Sequence, residues 1–222
     1  MLAVIGQFLP NAFGIALSPM PLILLLVLMF TSNARAKAIA LILGWWLGVG
    51  ALAGLVVVVG LEPSDSGPRA GMGWVNLAMG ALFAFLAVTS WRGRPRPDQP
   101  PKDPAWMTKA DGMNPVVLLG ITAALIAINA KNSALIISGA LWISAADASM
   151  VQELILLVVY AVLSSALAFA ITLAFLFAGK RVEPMLTALK QWLEQNNAYV
   201  MTFLLAYLGI SALGKAITIM GS

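Results

Sequence analysis

The chain has no cysteine and no histidine among its 222 residues. Disulfide exchange, thiolate metal sites and ligation of zinc or haem by imidazole are therefore excluded. Charge is scarce as well, since Asp, Glu, Lys and Arg together make up 10%. No nucleophile–base pair, paired carboxylates, phosphate-binding loop or metal cluster can be assembled from the remainder. An enzyme, a bound cofactor and a metal centre are not expected. The net charge of +4 does not mark a nucleic-acid partner either, because the bases lie between apolar segments and not along one polar face.

Apolar residues are abundant instead, at 61% of the chain, with a mean hydropathy of +0.93. A soluble domain of this length cannot hide so much apolar surface. The expected class is an all-α polytopic membrane protein, multi-pass in the plasma (inner) membrane, forming one transmembrane domain over residues 1–222. Residues 1–10 lack a basic leader and run into an apolar stretch too long for a signal peptide, so a retained helix is expected. A spanning helix needs about 20 mostly apolar residues. Six segments meet that length: 3–30, 37–61, 72–91, 115–143, 150–178 and 197–219. The first, fourth and fifth are overlong, which implies tilt, a break or an interfacial extension.

The loops set the orientation. Arg35, Lys37, Arg92, Arg94, Arg96, Lys102, Lys109, Lys180, Arg181 and Lys190 all fall in one alternate set, against Arg69 alone in the other. The positive-inside rule makes the first set cytoplasmic and gives an N-out, C-out topology. Residues 92–114, rich in proline and charge, are expected to be a cytoplasmic linker between 1–91 and 115–222. Residues 184–196 carry apolar side chains at helical spacing. They fit an amphipathic helix on the inner leaflet or, equally, an extension of a neighbouring span. Six of the seven tryptophans (Trp45, Trp46, Trp74, Trp91, Trp106 and Trp142) sit mostly near helix ends or in loops, as interfacial anchors do. Lys215, near the outer end of the last span, is expected to snorkel. Gly44-x-x-x-Gly48 offers a close-packing face for this chain or for a homodimer.

Two interruptions carry the functional expectation. Ser18-Pro19-Met20-Pro21 breaks the first apolar run, and Asn129-Ala130-Lys131-Asn132 breaks the fourth. They are separated by half the chain length, each in the first helix of a three-helix half. An odd number of helices per half turns the halves over, as in two inverted three-helix repeats with a site near mid-membrane. Pro19 and Pro21 lack amide hydrogens, and their rings clash with the carbonyls of Ile15 and Leu17. Helix 1 is expected to break there and restart with its N-terminus, the positive end of its dipole, inside the membrane. Its free amides would favour an anion, while carbonyls freed on the other side could accept from Lys131 or water. Lys131 would cost roughly 2.5–3.5 kcal/mol at the centre of a span, so it should face a polar cavity or a partner. No Asp or Glu falls in a predicted helix core, so the favoured counter-ion is a carboxylate, sulfate or phosphate on a substrate. Proton exchange at Lys131 is the alternative.

Ser18-Pro19-Met20-Pro21 leading to Arg35 and Lys37, with Asn129-Ala130-Lys131-Asn132 opening the second half, resembles the lysine-exporter (LysE) superfamily. Within it, the chain is most similar to the GAP/Sap group, the glycolipid- or sulfolipid-addressing proteins of mycobacteria and related actinobacteria. The resemblance covers the whole chain in length and helix count. It implies a secondary exporter or lipid-translocation factor of six helices in two inverted repeats. The superfamily pattern has proline where this chain has Ala130, so the asparagines would have to make the second break. Relatives that carry electrons through thiols cannot be models for a chain without cysteine.

The resulting expectation is export of an anionic or zwitterionic (glyco)lipid or lipid precursor to the cell surface. Lys131, Asn129, Asn132, Ser18, Pro19 and Pro21 would be the substrate-binding residues. An exporter of amino acids or other small solutes is one alternative. A non-transporting scaffold associated with a larger lipid exporter, using the Gly44/Gly48 face and residues 184–196, is another.

Overall fold

A computed structural model of the protein describes residues 1–59, 68–94, 112–146 and 148–221. Most of the linker expected at 92–114 lies outside the described residues (95–111), as do Glu62, Asp65, Trp106 and Asp147. Every regular element among the described residues is helical. In chain order these are α1 (Leu2–Ala16), α2 (Pro19–Leu28), α3 (Ala34–Val59), α4 (Pro68–Arg92), α5 (Pro115–Ile128), α6 (Ala130–Ser144), α7 (Met150–Ser164), α8 (Ala166–Ala178) and α9 (Glu183–Met220). Three helices are long and apolar enough to cross a membrane, and up to six spans result if each bent pair counts as one. Large apolar side chains face outward, with Val58 85% and Phe177 87% exposed. Water would penalise such a surface, whereas lipid solvates it.

The overlong apolar runs are the ones that break, and each breaks for its own chemical reason. Between α1 and α2 the axis turns by 52°. Ser18 sits at φ −69°, ψ 111°, the extended region to which a residue before proline is confined. Between α5 and α6 the turn is 74°, and no proline is involved. Here Asn129 leaves the helical region (φ −63°, ψ 118°), and its side-chain oxygen accepts from the Asn132 amide at 3.3 Å. The Ser133 hydroxyl donates to the carbonyls of Ala127 (2.6 Å) and Asn129 (2.9 Å), closing the end of α5. An asparagine cap and a serine thus do the work of the missing proline. The third turn, 63° between α7 and α8, was not anticipated at its position. Ser164 and Ser165 donate back to Ala161 and Val162 at 2.8 and 3.0 Å, a habit of serine that bends helices. Trp46 Nε1 then holds the buried elbow by donating to Ser165 Oγ at 2.7 Å.

Residues 184–196 belong to α9, which runs unbroken for 38 residues. At 1.5 Å per residue α9 is about 57 Å long, well beyond a hydrocarbon core of about 30 Å. The turn into it is made by Gly179 at φ 54°, a left-handed position that glycine adopts without strain.

The two halves of the chain are interleaved. Helix α1 packs on α6 and α7, α3 on α5 and α6, and α4 on α9. Close approach of α3 to α5 requires glycine. A Cβ on Gly44 would strike the Leu119 carbonyl, and one on Gly48 would lie 2.6 Å from the Ala123 carbonyl. The Gly44/Gly48 face is therefore taken up inside the chain. Trp45 is not an interfacial anchor, because it is fully buried in the core on this same helix. Lys37, grouped above with the loop bases, is buried in the first turns of α3 and donates to Thr31 Oγ1 at 3.1 Å. Lys215 finds a partner within the protein: Nζ donates to the Gln7 carbonyl at 3.0 Å and lies 5.2 Å from the Trp142 ring centre.

The glycine contacts give a test. Gly48→Ala should lower stability by about 1–3 kcal/mol, because the obstructing atoms are backbone and cannot rotate away. Gly50→Ala, with nothing within 4 Å of the added carbon, should be neutral or stabilising by up to about 1 kcal/mol. Thermal unfolding of the two variants in detergent compares them directly.

Candidate functional site

The break between α1 and α2 meets the break between α5 and α6 in the interior. Ser18-Pro19-Met20-Pro21 and Asn129, Lys131 and Asn132 line one cavity of about 390 Å³. The rest of its wall is mostly apolar and comes from α2, α5 and α9, including Leu24, Leu125 and Met201.

Lys131 is 5% exposed, at the second position of α6. Its ammonium donates to the Gly14 carbonyl at 2.8 Å and to Ser18 Oγ at 2.6 Å. The first of these bonds follows from the broken helix. The Ser18 amide, which would reach Gly14 in a continuous helix, turns to Ile15 instead (3.0 Å). That leaves the Gly14 oxygen, in the last turn of α1, open to a donor. A cation at a helix C-terminus also meets the negative end of the dipole. Ser18 passes the connection on, donating from Oγ to Asn132 Oδ1 at 2.8 Å. A lysine, a serine and an asparagine thus clamp the first half of the chain to the second.

Magnitudes explain why no carboxylate is required. Hydrogen bonds to a charged group contribute about 1.5–3 kcal/mol each, and two of them are comparable with the roughly 2.5–3.5 kcal/mol cost of a central lysine. Among the described residues Lys131 has no acidic partner, and the ion pair found there is Lys190–Glu194 on α9. Neutral oxygens solvate the ammonium without cancelling its charge. An ammonium has three donors, and two are used. The positive amino end of α6 adds to the same potential.

One expectation needs correction. The amino end of α2 does not offer a set of free amides. Its first and third residues are Pro19 and Pro21, so the residues that break the helix also remove its donors. Met20 keeps the amide hydrogen in that stretch, and Leu22 is already bonded to the Ser18 carbonyl at 3.4 Å. The positive character of the site rests on Lys131 and on α6.

Three further lining residues were not singled out from sequence. Asn197 and Met201 of α9 and Met113 before α5 line the cavity. The amide pair Asn196-Asn197, placed where an amphipathic stretch becomes a span, was the available signal. Asn11 of α1 donates to Ser138 Oγ of α6 at 3.2 Å, and the Tyr160 hydroxyl donates to the Leu135 carbonyl at 2.8 Å. Tyr160 also packs on Phe8, with ring centres 4.9 Å apart, and lies against Gly139, where a Cβ would strike its hydroxyl. These contacts close the α1–α6 joint on the far side of Lys131 from the cavity. Among the described residues, no group of three or more acidic metal-ligating side chains comes together.

The fold and the site define a helical membrane protein with an internal cationic locus at the meeting of two broken helices. The chain belongs to the family described as Sap, sulfolipid-1-addressing protein, whose model matches residues 8–218. No curated protein and no solved structure matches it.

The clamp makes a prediction about Ser18. Ser18→Ala leaves both Lys131 and Asn132 short of a partner and should destabilise the protein by about 1–3 kcal/mol. In a double-mutant cycle with Asn132→Ala the losses should be non-additive by about 0.5 kcal/mol or more. Additive losses would show that the two side chains do not act through each other.

Proposed function

We propose that this protein is a membrane carrier that exports an anionic or zwitterionic lipid, of the sulfolipid or glycolipid kind, from the cytoplasmic leaflet to the cell surface. The observation that carries this reading is the cavity at the joint of the two breaks. It presents one buried cation without a carboxylate partner among the described residues, Lys131, in a mostly apolar wall whose other polar members are Ser18 and three asparagines, Asn129, Asn132 and Asn197. A sulfate, phosphate or carboxylate on an amphiphile matches it in charge, and the wall matches the rest of the molecule. Free lysine, a cation, would be repelled. Asn129 and Asn132 orient the head group, while Ser18, Pro19 and Pro21 form the opposite wall. The family's description as a sulfolipid-addressing protein agrees with this chemistry.

The reading includes six spans in two inverted repeats. Exchange of the halves maps α1–α2 onto α5–α6, α3 onto α7–α8 and α4 onto α9. Several packing partners survive that exchange. The pair α3 and α5 becomes α7 and α1, the pair α2 and α9 becomes α6 and α4, and α4 with α9 returns itself. Two features depart from it: α7–α8 is bent where its counterpart α3 is unbroken, and the packing of α3 on α6 has no equal between α7–α8 and α2. With the basic loops inside, Met113, Leu118 and Asn197 stand toward the cytoplasm, so the cavity occupies the inner half. The contacts of Asn11 with Ser138 and of Phe8 with Tyr160 then close the outer half. An exporter loads from the cytoplasm in such a state.

A second reading, export of a small solute whose carboxylate meets Lys131, draws on the modest volume of about 390 Å³. A deletion strain separates the two by its surface lipids and its amino-acid tolerance. The scaffold reading loses one of its two surfaces, because the Gly44/Gly48 face is occupied by α5.

The decisive variant is Lys131→Met. In proteoliposomes carrying a fluorescent sulfated glycolipid, it should insert normally and translocate about tenfold more slowly or worse, the loss expected from roughly 1.4 kcal/mol or more of lost head-group binding. Wild-type translocation by correctly inserted Lys131→Met would remove the proposed site.

A further inference from the structure

A second cavity adjoins the first along the chain. It is a groove of about 700 Å³ between α1 and α9, lined by Leu9, Phe13 and Leu17 on one side and Val200, Phe203 and Tyr207 on the other. Phe13 is 60% and Phe203 78% exposed, so the groove opens outward. The two spaces divide at the α1–α2 break. Leu17 lines the groove and its neighbour Ser18 lines the polar cavity. On α9 the two linings alternate over residues 197–201, with Asn197 and Met201 at the cavity and Tyr199 and Val200 at the groove. A pocket with a cation in its wall and an apolar furrow thus lie against neighbouring residues on both α1–α2 and α9.

We infer that the α1–α9 groove holds a hydrocarbon chain of the same amphiphile whose anionic head group occupies the Lys131 cavity. This rests on the reading given under Proposed function and adds to it where the tail lies. The direction suits an inner-leaflet lipid. In the N-out orientation α1 runs from the outer face toward the break, so a tail leaving the cavity along Leu17, Phe13 and Leu9 points from the cytoplasm toward the bilayer interior and beyond. The head group stays on the cytoplasmic side. An apolar furrow in a bilayer gains little from the hydrophobic effect, because lipid tails are as apolar as its walls. Any bilayer chain could fill it. Selectivity comes from tethering: a tail whose head is already held at Lys131 is present at high effective concentration. The groove would therefore discriminate by attachment and length and not by polarity.

The experiment uses the full chain in nanodiscs of zwitterionic lipid, with a sulfated glycosyl diacylglycerol bearing a diazirine near the end of one acyl chain. After irradiation, labelled peptides are mapped by mass spectrometry. Labels should concentrate on Phe13, Phe203 and Tyr207 and should fall about tenfold or more in Lys131→Met, consistent with loss of tethering. The unsulfated lipid with the same chains should label this face only to that lower level. Val200→Trp, which fills the groove and leaves the cavity residues in place, should abolish the groove labels while Lys131-dependent retention of the probe persists. That variant keeps the test decisive if Lys131→Met does not fold. Equal labelling by sulfated and unsulfated probes, or labels unchanged in a folded Lys131→Met, would identify the occupant as bulk lipid and overturn the inference. Lys131-dependent retention with labels elsewhere would overturn the tail path but leave the head-group site standing. Retention that does not depend on Lys131 would instead overturn the head-group site.

Discussion

The ammonium of Lys131 donating into the open end of α1 is the interaction on which the rest of the structure depends. A proline-broken helix exposes carbonyls that hydrocarbon cannot solvate. A central lysine exposes donors with the same difficulty. Each defect meets the other's need, and Ser18 and Asn132 extend the match across the interface. The result is a polar joint inside an apolar bundle that carries net positive character, because all its acceptors are neutral.

The joint also accounts for the way the halves are woven. A broken helix is two short rods, each too short to span by itself, and their meeting points must be buried against protein. The α1–α2 elbow finds that cover in α6, and the α5–α6 elbow in α1 and α3. Glycine at positions 44 and 48 lets α3 approach the backbone of α5 closely enough to seal one side. What is left open is the space among α2, α5 and α9 beside the two breaks, and that space is the cavity. Site and fold are in this sense one feature, since straightening α1–α2 would return the Gly14 carbonyl to the Ser18 amide and take the lysine's acceptor away.

A pocket with a buried cation beside an apolar groove is the pairing of spaces that a molecule with a charged head and a hydrocarbon tail would use. A soluble metabolite needs only the first of these spaces. This is the ground on which we propose that the chain itself handles lipid.

Composition and run lengths determined the all-helical membrane class, the candidate spans and the three runs too long to be straight, because these depend on local hydropathy alone. The two polar tetrads were legible for the same reason, being rare residues in apolar surroundings. The break at Asn129 was readable only as an asparagine cap, and the bend at Ser164–Ser165 hardly at all, because serine sits in helices without bending them unless its hydroxyl turns back to the backbone. Continuity of α9 through residues 184–196 was undecided, since an amphipathic stretch looks the same on a surface or on the extension of a span. Trp45 was misplaced because a sequence position near a helix end does not reveal which face of that helix is covered. Which residues meet was decided only by tertiary structure. Gly14 with Lys131, Ser18 with Asn132 and Trp46 with Ser165 are distant in sequence, and only packing of the halves brings such pairs within bonding distance.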